Sequence, residues 1–110
     1  MKKGEIWEVY FDPTIGSEQS GRRPAVIISG NLANKHLNTV IVCPLTSSLK
    51  NYHGNLIVNP NDMNGLQKKS EVMSVHARSI SKLRFKKQLG RFSQAEMSII
   101  IENLEKIIKY

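Results

Sequence analysis

The chain has 110 residues, a formal net charge of +7 and one cysteine, and it is long enough for one small domain. A single cysteine excludes an internal disulfide and a zinc site built from several cysteines. The sequence has no run of about 18 apolar residues, so it predicts no membrane-spanning helix. We therefore expect residues 1–110 to form one cytoplasmic domain whose basic surface favours polyanions.

Short apolar runs separated by turn residues predict an antiparallel β protein. Between Glu5 and Phe11, apolar and polar residues alternate, which is typical of a half-buried strand. Two later runs rich in β-branched residues favour strands buried on both faces. In chain order, we predict further strands over residues 24–29, 39–44, 55–58 and 71–77, with a connection over residues 30–38.

The clearest helix signal begins at Ser93. Ser93 and Glu96 form a capping-box pattern, in which the two side chains satisfy free N–H groups of the first turn. The apolar residues that follow recur at helical spacing and form a stripe that needs a packing partner. This stripe consists of Met97, Ile100, Ile101, Leu104, Ile107 and Ile108. Several short strands followed by one helix predict a mainly β fold, a bent antiparallel sheet or small barrel closed by a C-terminal helix.

The positive charge is concentrated between Glu71 and Glu96, where the sequence has no acidic residue. The cations in this window are Arg78, Lys82, Arg84, Lys86, Lys87 and Arg91. Two interpretations stay open, a solvated basic face or a surface of which part contacts phosphate groups.

The polar segment from Gly16 to Pro24 carries unusual chemistry for a turn. Its side chains include a hydroxyl, a carboxylate, an amide and two guanidinium groups, from Ser17, Glu18, Gln19, Arg22 and Arg23. Metal-free RNA cleavage needs a base for the 2′-hydroxyl, a cation for the phosphate charge and an acid for the leaving oxygen. Glu18 suits the first task and Arg23 the second. The same residues also fit a solvated hairpin loop with an internal Arg–Glu pair.

Two motifs resemble a known family. The segment from Glu5 to Ser29, which contains Gly16-Ser-Glu-Gln-Ser-Gly-Arg-Arg-Pro24, is similar to the N-terminal signature of the MazF/PemK/Kid toxins of bacterial type II toxin–antitoxin systems. Pro44-Leu-Thr-Ser47 resembles their second motif. The resemblance implies a small SH3-like antiparallel barrel of the MazF/CcdB type and a homodimer. It also implies a sequence-specific, metal-independent endoribonuclease that leaves a 2′,3′-cyclic phosphate and a 5′-hydroxyl on single-stranded RNA, held in check by an acidic antitoxin.

The resemblance also implies the residues of the catalytic site. Arg23 would stabilise charge on the phosphate, Thr46 would hydrogen-bond it, and Glu18 would accept or position the 2′-hydroxyl proton. Ser17 and Gln19 match a loop that meets RNA in the family. Considered from the residues alone, the preferred interpretation of Thr46 is a strand end whose hydroxyl caps the next turn.

Three further residues are candidates for RNA contact. Tyr52 can stack on an unpaired base, or be an ordinary exposed tyrosine. Some family members have an aspartate that our alignment matches to Val75, so His76 beside it is either a substitute proton donor or structural. Arg78 belongs to the basic window. We predict no metal and no cofactor, because no His, Asp and Glu cluster has the spacing of metal ligands.

Two other functions remain possible at this point. One is a non-catalytic, CcdB-like gyrase poison on the same fold, and the other is a basic nucleic-acid-binding module without activity. The segment from Gly16 to Gln19, together with Arg23 and Thr46, favours the nuclease.

Overall fold

A computed structural model describes residues 1–11 and 21–110. Within this part of the chain there are seven strands and two helices. In chain order they are β1 (Glu5–Tyr10), β2 (Arg22–Ile27), α1 (Asn31–His36), β3 (Thr39–Thr46), β4 (Ile57–Val58), β5 (Ser70–Val72), β6 (Arg78–Ser81), β7 (Phe85–Arg91) and α2 (Gln94–Lys109). Short 3₁₀ turns occupy Ser74–His76 and Lys82–Arg84. The predicted loop residues Ser17, Glu18 and Gln19 lie outside the described residues.

The strands form an antiparallel sheet in the order β4-β5-β3-β2-β1-β7, and β6 pairs with β3 beside this path. β3 is the central element, because it pairs with β2 and β6 along most of its length and with β5 at its end. The β5 contact involves Leu45 and Thr46. This change of partner bends the sheet around β3 into a curled half-barrel. The expected bent antiparallel sheet with a C-terminal helix is thus confirmed.

Apolar side chains form two clusters on opposite faces of the sheet. β3 contributes to both, since successive residues of a strand point to opposite faces. The larger cluster joins the sheet to α2, and its members include Ile6, Val26, Cys43, Leu45, Val72, Ile100 and Leu104. The smaller one comprises Val9, Ala25, Ile27, Val40, Val42 and Ile80, with Trp7 and Phe85 packed against it. Burial raises the pKa of the Cys43 thiol to about 12, so the thiol is neutral.

The predicted capping box of α2 is present. The Ser93 hydroxyl accepts a hydrogen bond from the Glu96 N–H at 3.1 Å, and the Ser93 N–H donates to the Glu96 carboxylate at 2.8 Å. The stripe packs as predicted over its first turns, whereas Ile107 and Ile108 are exposed. The apolar cluster between the sheet and α2 extends along the helix only to Leu104, so the prediction of a continuous buried stripe is wrong beyond that residue.

Two other predicted elements differ from the structure. The expected connection over residues 30–38 contains α1, which is tied to the sheet because the buried Asn34 amide donates to the Ser29 carbonyl at 2.9 Å. The strand expected over residues 71–77 ends early, because the His76 N–H bonds the Met73 carbonyl and closes a 3₁₀ turn. No helix among residues 1–11 and 21–110 is long and apolar enough to cross a membrane.

Candidate active site

A groove of about 580 Å³ lies where β2 and β3 approach the turn before β5. The β2·β3 register pairs Ala25 with Pro44. Arg23 and Thr46 each lie two residues beyond this pair, at the same end of the two strands, and both line the groove. The fold therefore brings together two of the predicted catalytic residues that are far apart in the sequence.

The Thr46 hydroxyl organises the turn that leaves β3. Its oxygen accepts a hydrogen bond from the Ser48 N–H at 3.1 Å, while its proton has only a 3.4 Å contact with the Ser48 carbonyl. The turn-capping interpretation of Thr46 is therefore confirmed. Thr46 is partly exposed and lines the groove, and its hydroxyl proton can rotate to another acceptor.

Positive charge dominates the described lining of the groove. Its cations are Arg22, Arg23, Lys68 and Lys87, and its only carboxylate among the described residues is Glu8. The Glu8 carboxylate forms a salt bridge with the Arg22 guanidinium, with 3.3 Å between oxygen and nitrogen. The Arg22 guanidinium also lies 6.0 Å from the ring centre of Tyr10. Within the described part of the chain, Arg23 makes no such ion pair. Arg23 is thus the arginine available to an anion in the groove.

Glu71, on β5, is a fully buried carboxylate for which the sequence alone predicts no part in the site. It is the cross-strand neighbour of Thr46. One carboxylate oxygen accepts hydrogen bonds from the N–H groups of Lys50 and Asn51, at 2.6 and 2.8 Å. The other accepts from the Tyr52 N–H at 3.0 Å and from the Asn55 amide at 2.8 Å. The carboxylate therefore fixes the loop that follows Thr46.

Two opposing effects set the pKa of Glu71. Burial of the carboxyl favours the protonated form, but the hydrogen bonds from Asn55, Asn51, Lys50 and Tyr52 favour the carboxylate more strongly. They hold the pKa of Glu71 below its ordinary value. The contacts extend to α2, because the buried Asn103 amide donates to the Asn55 side-chain oxygen at 3.0 Å. One network therefore joins helix, strand and loop.

The protein-family model described as "PemK-like, MazF-like toxin of type II toxin-antitoxin system" matches residues 2–108. This chain belongs to that toxin family. The toxin is 33% identical over 110 residues to endoribonuclease MazF9 of Mycobacterium tuberculosis, a match that covers 96% of this chain and 93% of the relative. It is 33% identical over 72 residues to the endoribonuclease toxin MazF of Escherichia coli K12, covering 66% and 65%.

Solved structures of the family share the fold of the toxin. MazF (Form-I) from Deinococcus radiodurans superimposes with a TM-score of 0.81 at 26% identity, covering 100% of this chain and 97% of that one. A mycobacterial endoribonuclease in complex with its cognate antitoxin gives a TM-score of 0.80 at 20% identity, covering 99% and 95%. The predicted family, barrel type and endoribonuclease class are confirmed, so the gyrase-poison alternative loses its support.

Three of the predicted RNA-binding residues of the toxin do not line the groove. Tyr52 is about half exposed and lies on the loop that Glu71 holds. His76 is exposed in the 3₁₀ turn Ser74–His76. Arg78 is exposed on β6, with its guanidinium 5.6 Å from the ring centre of Phe11. Among the described residues, no group of three His, Cys, Asp or Glu side chains could hold a metal ion.

Proposed function

We propose that this toxin cuts single-stranded RNA in the groove, with Arg23 and Thr46 at the centre of the site. The observation that carries the proposal is their shared lining of one cationic groove, reached from two different strands. Arginine suits the position because its planar fork holds phosphate through two hydrogen bonds and stays charged. The family relationship supports the reaction class, and the cations of the groove support an anion site there.

The proposed reaction is transesterification without a metal or another cofactor. The RNA 2′-oxygen loses its proton to Glu18 and attacks the adjacent phosphorus. The bond from phosphorus to the 5′-oxygen then breaks. The products are a 2′,3′-cyclic phosphate and, once the leaving oxygen takes up a proton, a 5′-hydroxyl. Arg23 stabilises the charge that develops on the phosphate oxygens, and Thr46 donates its hydroxyl proton to one of them.

Residues at the margins of the groove are proposed to hold the bases and the flanking chain. Ser17 and Gln19, beside Glu18, would contact RNA from the segment before β2. Tyr52 offers an exposed aromatic face for an unpaired base. Arg78 offers a positive charge on β6. The position of His76 outside the groove lining favours a structural role over an acid role for this residue.

We also propose that the toxin is a cytoplasmic homodimer that an acidic antitoxin neutralises. The net charge of +7 and the cationic groove support an acidic partner, whose affinity would fall as salt rises. MazE–MazF complexes from Deinococcus radiodurans, with TM-scores of 0.75 and 0.80, show the same fold in toxins bound to their antitoxins. Native mass spectrometry of the toxin, alone and with the product of a neighbouring small reading frame, tests both assemblies.

The catalytic proposal is tested with Arg23→Ala and the matched control Arg91→Ala, which removes an exposed arginine outside the groove. Each variant is incubated with a long defined RNA, and the cut ends are mapped. We expect Arg23→Ala to reduce cleavage by at least about 100-fold, as for loss of one charge-stabilising donor. Arg91→Ala should cut as the parent does.

Three results would contradict the proposal. A folded Arg23→Ala protein that cuts RNA at the parental rate removes Arg23 from the chemistry. Activity that requires added Mg²⁺ and disappears with a chelator refutes the metal-free reaction. Intact RNA together with inhibition of gyrase would restore the gyrase-poison alternative.

A further inference from the structure

The groove has a second wall, opposite the ends of β2 and β3. It is formed by residues 65–68 and by Lys87 and Leu89 of β7. None of these residues lies in the two motifs, residues 5–29 and 44–47, that resemble the toxin family. The wall adds two lysines, Lys68 and Lys87, to a groove that already contains Arg23.

A buried asparagine fixes the chain that forms this wall. The Asn64 side-chain oxygen accepts hydrogen bonds from the N–H groups of Asn61 and Leu66, at 3.1 and 3.0 Å. Its amide donates to the Asn59 carbonyl at 3.0 Å, and its own N–H bonds the Asn61 side chain at 2.8 Å. These contacts close residues 59–66 into a stapled turn directly before Lys68.

Two glycines allow the stapled turn to pack closely against β7. Gly65 has φ +65°, and a Cβ there would lie 1.9 Å from the Leu89 carbonyl oxygen. A Cβ at Gly90 would lie 2.3 Å from the Met63 carbonyl oxygen. Such an approach requires glycine on both sides of the contact. The position of residues 63–65 relative to β7 is therefore set by backbone packing, and Lys68 follows three residues later.

The two lysines of the wall differ from their sequence neighbours. On β7, Lys87 lines the groove whereas Lys86 does not, and the Lys86 ammonium lies 5.8 Å from the ring centre of Tyr10. Beside Lys68, the exposed Lys69 does not line the groove. Among the described residues, neither Lys68 nor Lys87 makes an ion pair, and Glu8 across from Lys87 is engaged by Arg22.

We propose that Lys68 and Lys87 bind backbone phosphates of the RNA that flank the phosphate held by Arg23. This inference rests on the proposed RNA cleavage and adds the residues that hold the strand. Lysine contacts phosphate as a point charge and does not read the base. The wall therefore contributes affinity and salt dependence, and the choice of cleavage sequence is made elsewhere.

The test uses Lys68→Ala and Lys87→Ala, with Lys69→Ala and Lys86→Ala as neighbours of equal charge. The probe is an RNA oligonucleotide spanning the mapped cut, with 2′-deoxyribose before the cut so that it binds without reacting. The association constant for RNA falls as salt rises, and each lost phosphate contact should make the slope of its logarithm against log salt concentration shallower by about 0.7. This corresponds to about fivefold weaker binding at 0.1 M salt. Cleavage of natural RNA at saturating concentration should keep the parental kcat and the parental cut sites.

The outcomes separate this inference from the proposed function. If the parent cuts RNA, Arg23→Ala does not, and the groove lysines behave like Lys69 and Lys86, the inference fails alone. If the parent cuts no RNA, both fail. If Lys68→Ala and Lys87→Ala bind RNA normally but lose affinity for a glutamate-rich peptide, the wall serves an acidic protein partner and the inference is overturned.

Discussion

Replacing Glu71 by glutamine removes the charge of the side chain and leaves its size almost unchanged. The carboxylate offers two oxygens, each of which accepts two hydrogen bonds. Glutamine offers one oxygen and one NH₂ group, so one pair of N–H donors then faces another donor. If Asn55 turned its amide to compensate, its NH₂ group would face that of Asn103. We therefore expect a loss of stability without a loss of packing volume.

The size of that loss follows from the hydrogen bonds. Two contacts weaken from charged to neutral acceptors, at about 1 kcal/mol each, and at least one buried donor is left unsatisfied, at about 1–3 kcal/mol. The variant Glu71→Gln should thus be about 3–5 kcal/mol less stable at pH 7. For a domain of about 100 residues, this lowers Tm by about 12 °C or more.

The pH dependence supplies an independent check. The pKa of Glu71 is lower in the folded protein than its ordinary value of 4.5, so its contribution to stability is complete above that pH. The contribution is lost as the pH falls from 4.5 through the folded pKa. Glutamine does not titrate, so the difference between parent and variant should be constant above about pH 5.5 and should shrink at pH 3.5.

Urea unfolding followed by the fluorescence of Trp7, at one fixed protein concentration, measures both quantities. The control is Glu102→Gln, which removes an exposed carboxylate 3.4 Å from Lys106 and should change stability by less than about 0.5 kcal/mol. A loss below about 1 kcal/mol for Glu71→Gln at pH 7, or a difference that does not shrink at pH 3.5, would refute the reasoning.

Three other substitutions test separate features. Gly65→Ala should destabilise the protein by at least about 3 kcal/mol in urea unfolding, since its Cβ meets the Leu89 carbonyl at positive φ. The control Gly30→Ala, at the N-cap of α1 with nothing within 4 Å of the added Cβ, should cost no more than about 1 kcal/mol. Ser93→Ala removes the cap of α2 and should lower stability by about 1 kcal/mol, read as a fall in Tm. Tyr52→Ala should leave Tm unchanged and weaken RNA binding by about 1–3 kcal/mol, measured by fluorescence anisotropy; unchanged affinity would remove the ring from RNA recognition.

Local signals were enough to predict much of the sheet and the cap of α2. β1 shows alternation, β2 and β3 are rich in β-branched residues, and the capping box of α2 involves only neighbouring residues. The sequence pattern does not predict β7, an edge strand whose several charged residues hide the alternating pattern of a strand. Charged side chains on an edge strand prevent it from pairing with other chains. Its identity depends on pairing with β1, which is distant in the sequence.

The residues that line the groove were predictable from the sequence only where they lie in a motif. Arg23 and Thr46 lie in the two motifs that the chain shares with its family, and both line the groove. Glu71 gave no local signal, because its partners are mainly backbone N–H groups about 20 residues earlier in the chain. The two lysines of the second wall were equally hidden, because nothing in the sequence distinguishes Lys68, which lines the groove, from Lys69, which does not.

Chemical labelling of the buried Cys43 thiol can report how often the sheet opens. Cys43 is the only cysteine, it lies on the central strand three positions before Thr46, and burial keeps it protonated. Because a thiolate is the reactive form, an alkylating reagent can modify it only in molecules whose sheet has separated. The rate of labelling under native conditions therefore measures how often the centre of the barrel opens, without any engineered probe and with RNA or a partner protein present.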